Sequence, residues 1–299
     1  MSKDNLIPSI DLDNQGAHAR PNPMIWEGEE EAQGVFIGPS SQEDALALLG
    51  VPTLELPEVL RLPEDFEASP ELRVWLASLQ DAVAAAVNGK NATTGFDGLT
   101  DLDIQAIEEI LGAGEVDGRV TLDGVRYEIQ ESLLAGVWRI NGDNGSRWVE
   151  VGESPSVIAD AAAALQLADY DIPAASGNVM NAPAVLSEIR ERSRAWQETG
   201  EPNHVLNFTL FPMSEADHDM LTAVLGRADL ELKSGGFGDC RIMATRYRHV
   251  WAVQFVNAME NTILDTIEIG RLPAAARAAR EDFEDSSERL AERVETYLA

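Results

Sequence analysis

The chain has one cysteine, Cys240, directly behind the run Ser234-Gly235-Gly236-Phe237-Gly238-Asp239. A thiol in that setting can be a nucleophile, a metal ligand or a buried apolar side chain. A nucleophile needs a base within hydrogen-bond reach. The nearest histidine in sequence is His249, across a predicted hairpin whose turn sets it at a different height from Cys240. Asp239 opposes a lowered thiol pKa and Arg241 favours one, so these neighbours roughly cancel. On a strand, Cys240, Ile242 and Ala244 share one apolar face, which favours a structural thiol. The other histidines, His18, His204 and His218, are scattered, and neither CxxC nor HExxH occurs, so a metal site built by this chain alone is not expected. The glycines do not form a phosphate loop: GGFG is not GxGxxG, and it precedes a strand instead of a helix. Phe237, between Gly236 and Gly238 at the loop tip, reads either as an exposed anchor for a partner or as a ring folded back into the core. With 52 acidic residues, no carboxylate pair stands out for acid–base work. The residues demand no enzyme, no catalytic group and no cofactor.

The elements that must position this loop follow from caps and periodicity. Ser69 and Pro70 open a helix with Leu72, Leu76, Leu79, Val83 and Val87 on one face, stopped at Asn88-Gly89. Thr100 and Asp103 form a capping pair ahead of Ile104, Ile107 and Leu111, and Gly112 ends that helix. Strands are predicted at 118–122, 125–132, around Val137–Ile140 and at 148–151, and Ser154-Pro155 opens another helix. Pro183 opens a helix with Val185, Ile189 and Trp196 on one side and Arg190, Arg192 and Arg194 toward solvent.

The second half repeats the order. Ser214 and Asp217 form the capping pair and Gly226 the stop. Strands follow at 230–233, 240–247, 250–256 and 263–269, and Pro273 is read as opening a long C-terminal helix through Ala276, Ala279, Phe283, Leu290, Val294 and Leu298. Leu111-Gly112 corresponds to Leu225-Gly226, Val137-Trp138 to Val250-Trp251, Glu150-Val151-Gly152 to Glu268-Ile269-Gly270, and Pro155 to Pro273. Such order points to an internal duplication with Trp138 and Trp251 as equivalent core anchors. The predicted architecture is α+β: two tandem repeats, each a small antiparallel sheet with flanking helices. The predicted divisions are a flexible acidic arm over 1–68, a first, degenerate repeat over 69–170, a linker with a helix over 171–202, and a second repeat over 203–299.

Composition limits the partners. A net charge of −30 repels phosphate backbones and anionic lipid, so neither nucleic acid nor membrane is an expected partner. Residues 1–70 hold 8 of the 14 prolines and 14 acids against three bases, a composition that opposes collapse and predicts the arm. Within it LELPEVLRLP reads as an extended stretch lying on this core or on a partner. No apolar region follows Lys3, so no secretory leader is expected. A lone cysteine cannot make an internal disulfide and fits a reducing cytoplasm.

The stretch GFGDCRIMATRYRHVWAVQFVNAMENTILDTIEIG resembles the C-terminal domain of HupH/HyaF-type hydrogenase expression proteins. IPAASGNVMNAPAVLSEIRERSRAW and HVLNFTLFPMSEAD resemble the segments leading into it, and LELPEVLRLPEDF is more loosely similar to the family's N-terminal portion. The likeness runs well over Ile172–Leu290. Its matching positions are Gly236, Gly238, Cys240, Arg241, Trp251, Asn257, Met259 and Glu268, and the first repeat lacks the cysteine and the glycine loop. The resemblance implies a cytoplasmic accessory protein, of chaperone type, for maturation of nickel–iron (NiFe) uptake hydrogenases. It implies action on the iron–sulfur-carrying small subunit precursor before assembly and export, with a thioredoxin-like accessory protein as co-partner. It carries over no catalytic residue. The expected partner-binding residues are Gly236, Phe237, Gly238, Asp239, Cys240, Arg241, Asn257 and Met259. Alternative readings are an iron–sulfur carrier or redox partner with Cys240 as one ligand of a shared site, and a thiol-dependent enzyme.

Overall fold

The computed structural model describes residues 62–63, 66–196, 202–211, 213–235, 239–257, 259 and 261–298. Most of the predicted arm therefore lies outside the described residues. Its last part lies on the chain's own core: the Leu62 amide donates to Glu109 Oε1, and Phe66 packs on the cluster beneath.

Six helices and ten strands follow in order among the described residues. They are α1 (Pro70–Ala86), β1 (Ala92–Gly95), α2 (Asp101–Leu111), β2 (Val116–Leu122), β3 (Val125–Glu131), β4 (Val137–Gly142), β5 (Arg147–Val151), α3 (Ser156–Ala164), α4 (Ala182–Ala195), β6 (His204–Asn207), α5 (Glu215–Leu225), β7 (Leu230–Ser234), β8 (Asp239–Ala244), β9 (Val250–Val256), β10 (Thr262–Ile269) and α6 (Asp282–Leu298). The predicted caps form. Ser69 accepts from the Leu72 amide, and Thr100/Asp103 and Ser214/Asp217 make reciprocal boxes. Gly112 and Gly226 end their helices with matching backbone angles, φ 59 and 58.

All ten strands join one antiparallel sheet in the order β1-β5-β4-β3-β2-β7-β8-β9-β10-β6. The order is mirrored about the β2–β7 pair, in which Val116–Val120 lie against Leu230–Ser234. The expectation of two small separate sheets is thus corrected. β2 and β7 would each have been an open edge, and pairing them removes both. Among the described residues the four-residue β1 and β6 remain as edges, and the periodicity reading missed both because ATTG and HVLN are too short to show an apolar repeat.

Three apolar clusters cover the sheet. One face carries a cluster at each end: α1, α2 and α6 over β4 and β5, and α4 and α5 over β9 and β10. The opposite face carries one cluster shared across the seam, with Trp138, Ile140, Leu232, Ile242 and Trp251 beneath α3. Alternation enforces the division: Val137 packs under α1 and α2 while Trp138, next in sequence, points to the seam cluster.

The helix expected from Pro273 is corrected. Pro273 opens only a 3-10 turn, Ala274–Ala276, on the seam cluster. Arg277 is extended, and the Ala278 amide donates to the Glu153 carbonyl, which carries the chain across to the first half before α6 starts. Ala276 and Ala279 are not part of α6, and its buried face is Phe283, Leu290 and Val294. Reciprocally, Ala168 and Tyr170, after α3, pack in the cluster of the second half. Each half thus sends its last segment onto the other.

Candidate functional site

β8 pairs with β9 from Asp239↔Val256 to Ala244↔Trp251, and β7 meets β8 at Ser234↔Cys240. The loop between β7 and β8 and the turn between β9 and β10 therefore lie at the same end of the sheet. Gly236, Phe237 and Gly238 lie outside the described residues. At the base of their loop the Gly235 amide donates to the Glu115 carbonyl. Asp239 and Arg241 are exposed, on the face opposite the seam cluster. Asn257 organises the second turn: its Oδ1 accepts from the Met259 and Asn261 amides, and its own amide donates to the Asn261 carbonyl. Met259 is 77% exposed at the tip.

Cys240 is set apart from these residues. It is 2% exposed and packs with Ile242 and Ala244 in the seam cluster. Burial, with the Glu268 carboxylate adding repulsion, pushes its thiol up to about 12. His249 lies beyond the far end of β8, stacked on Trp196 with ring centroids 4.0 Å apart. At about 3.4 Å per residue the four steps from Cys240 to Ala244, the end of the strand, span roughly 14 Å, and His249 lies beyond them. The two do not form a nucleophile–base pair. Among the described residues no three His, Cys, Asp or Glu side chains are grouped to hold a metal ion, and no helix is long and apolar enough to cross a membrane.

Trp138 and Trp251 are the expected core anchors. Each donates its indole N–H to a backbone carbonyl after the next strand, Trp138 to Gly152 at 2.9 Å and Trp251 to Gly270 at 3.3 Å. Periodicity gave no warning of a second role for Asp217. Its Oδ2 completes the cap of α5, while its Oδ1 accepts the amides of Met180, Asn181 and Ala182 at 2.8–2.9 Å and so seats the start of α4. Burial alone would raise this carboxyl. The hydrogen bonds outweigh it and hold the pKa well below the usual carboxylate range. Asp103 plays the matching part in the first half, bonded to Thr100 and Ser69.

Between the two helix layers the sheet is uncovered. Strands β3, β2, β7 and β8 present Glu128, Asp117, Arg119, Lys233 and Arg241 to solvent there. Arg119 pairs with Glu231 across the seam, and Arg227 pairs with the same carboxylate.

Comparison with known proteins bears out the resemblance. The family model "HupH hydrogenase expression protein, C-terminal conserved region" matches residues 179–297. The hydrogenase expression/formation protein HoxQ of Cupriavidus necator is 36% identical over 268 residues, 86% of this chain and 94% of that protein. HupH of Rhizobium leguminosarum bv. viciae is 42% identical over 204 residues, 66% of this chain and 72% of that one. The hydrogenase-1 operon protein HyaF of Escherichia coli is 32% identical over 196 residues, 64% of this chain and 68% of that one. A likeness of this extent, running through both halves of the sheet, means that the chain belongs to the HupH family of hydrogenase expression proteins.

Proposed function

We propose that this chain is a non-catalytic accessory protein for the maturation of a nickel–iron uptake hydrogenase. It works in the cytoplasm by binding the precursor of the iron–sulfur-carrying small subunit, before that subunit joins the large subunit and is exported. A thioredoxin-like accessory protein is its second partner. The observation that carries the reading is the likeness to hydrogenase expression/formation proteins, over 94% of the length of the Cupriavidus necator relative.

The chemistry at the end of the sheet fits binding. A buried thiol pushed up to about 12 is a poor nucleophile and a poor ligand. The residues assigned to the partner are the loop Gly236-Phe237-Gly238 with Asp239 and Arg241 at its base, and the Asn257–Met259 turn. Cys240 supports that surface from within. The charge of −30 favours a basic segment of the precursor, such as its export leader.

The scaffold is read as a duplicated unit whose second copy gained the glycine loop. The mirrored strand order, the paired capping boxes and the paired Trp–carbonyl bonds support this.

The test is co-purification. Tagged chain and precursor are co-expressed and recovered at about 50 mM and about 500 mM salt, where screening lengths differ roughly threefold. The expected result is precursor retained at low salt and partly released at high salt. Recovery indifferent to salt removes the electrostatic part, and no recovery at either salt removes the reading.

A further inference from the structure

The uncovered face of the sheet holds an arrangement that neither the core nor the loop ends explain. In register across the strands, Arg139, Gln130, Asp117, Lys233, Arg241 and Gln254 form one row from β4 to β9. Lys233 and Arg241 are directly opposed like charges, a pairing that costs stability. Both are exposed, and neither makes an ion pair or hydrogen bond among the described residues. Asp117 faces Lys233 in register without forming an ion pair. Arg139, reaching toward Glu108 of α2, has a buried Nε with no hydrogen-bond partner among the described residues. Other cations are tied down: Arg277 to Glu153, and Arg280 and Arg293 to carbonyls at the ends of α1 and α2. Two adjacent cations without an ion pair, in one row with the half-buried Arg139, are unexpected in a chain of charge −30.

Spacing indicates what would neutralise them. Strands lie about 4.8 Å apart, so Lys233 and Arg241 are about 5 Å apart and Arg139 stands three strands, about 14 Å, from Lys233. An extended segment laid along the row advances about 3.3 Å per residue and turns every second side chain to the floor. Acidic residues two apart would meet Lys233 and Arg241, and a third, four residues on, would meet Arg139. Glu128 on one side and Glu115 and Asp239 on the other repel such a segment from the adjacent rows, where Glu231 is already paired with Arg119 and Arg227.

We propose that this row is a docking strip for an extended acidic segment of the partner protein. It rests on the reading that the chain works by binding another protein, and it extends the loop-end contact, with which it shares Arg241, across the sheet with a charge preference opposite to that of the rest of the surface.

The test uses the full chain and a fluorescein-labelled Glu-Ala alternating peptide of about eight residues, which spans the ~24 Å row. Anisotropy is read at about 150 mM salt, where a screening length of about 8 Å suppresses repulsion by the surface as a whole. The expected result is saturable binding that the double variant Lys233→Glu/Arg241→Glu weakens at least about tenfold, as loss of close charge pairs does, while that variant gains binding of the Lys-Ala counterpart. Both residues are exposed, so circular dichroism should match the native chain, with a melting temperature somewhat lowered by the new like-charge contact with Asp117. No binding to the native chain, or equal binding to the variant, overturns the proposal. So does binding that emerges only when Glu27, Glu29, Glu30 and Glu31 are replaced by Gln, since the strip would then serve the chain's own acids. Capture of the small-subunit precursor equally by native and double-variant chains would remove the strip and leave the maturation reading standing. Failure of the native chain to capture it would remove that reading.

Discussion

Cys240 and Asp217 are both buried, yet burial has opposite consequences for them. The Cys240 thiol is pushed up to about 12, above its unfolded value of about 8.5. Its contribution to stability is therefore full below about pH 8.5 and is lost as pH rises toward 12. At pH 8 a disulfide reagent should leave Cys240 unmodified in the native chain and label it fully in denaturant. Rapid native labelling would show an accessible thiolate. Asp217 is 0% exposed but held below the usual carboxylate range by backbone amides from two helix starts. Its contribution is present above the unfolded carboxylate value of about 3.9 and is lost as pH falls through the lower folded value. Asp217→Ala should cost about 2–4 kcal/mol at pH 7, from several charge-assisted hydrogen bonds lost together. The gap to the native chain in urea unfolding should narrow below about pH 4. The buried thiol was legible from the apolar face it shares with Ile242 and Ala244. The double duty of Asp217 was not, because its three amides come from a segment 35–37 residues away.

At the scale of elements, the path of α6 depends on Gly136. That glycine has φ +78, and a Cβ there would lie 2.3 Å from the ring of Phe283 on α6. Gly136→Ala should cost about 2–4 kcal/mol, from left-handed strain plus overpacking. Gly145→Ala, with φ +85 but open space around it, should cost about 1–2 kcal/mol from strain alone. Denaturant midpoints separate the two, and equal losses would mean that α6 does not pack on Gly136. Helices with caps were legible to within a residue or two: Ser69, Thr100 and Ser214 mark starts, and Gly112 and Gly226 mark ends. The C-terminal helix was misplaced because Pro273 is also a competent opener of a 3-10 turn, and the bond from Ala278 to Glu153 that halts it is a long-range contact.

For the whole molecule, the paired seam and the exchanged end segments bind the halves into one unit. Leu290→Ala on α6 empties a site in the cluster of α1 and α2 and should cost about 2–5 kcal/mol. Unfolding of the native chain should be a single transition, with probes in the first and second halves coincident, because neither half keeps its core without the other. Two separated transitions would contradict the interlock. The mirrored order was foreshadowed by the matched Trp, Glu and Pro positions. Fusion into one sheet was not, since β2 and β7 carry the same alternation whether paired or left as edges.

The claim on which the account depends is that the chain acts by holding another protein at the loop end of its sheet. Hydrogen exchange of the full chain, with and without purified small-subunit precursor, tests it most directly. The account predicts slowed exchange at the amides of 235–241 and 257–261 in the presence of the precursor. Unchanged exchange there, with the precursor bound at another surface or not bound at all, would contradict it.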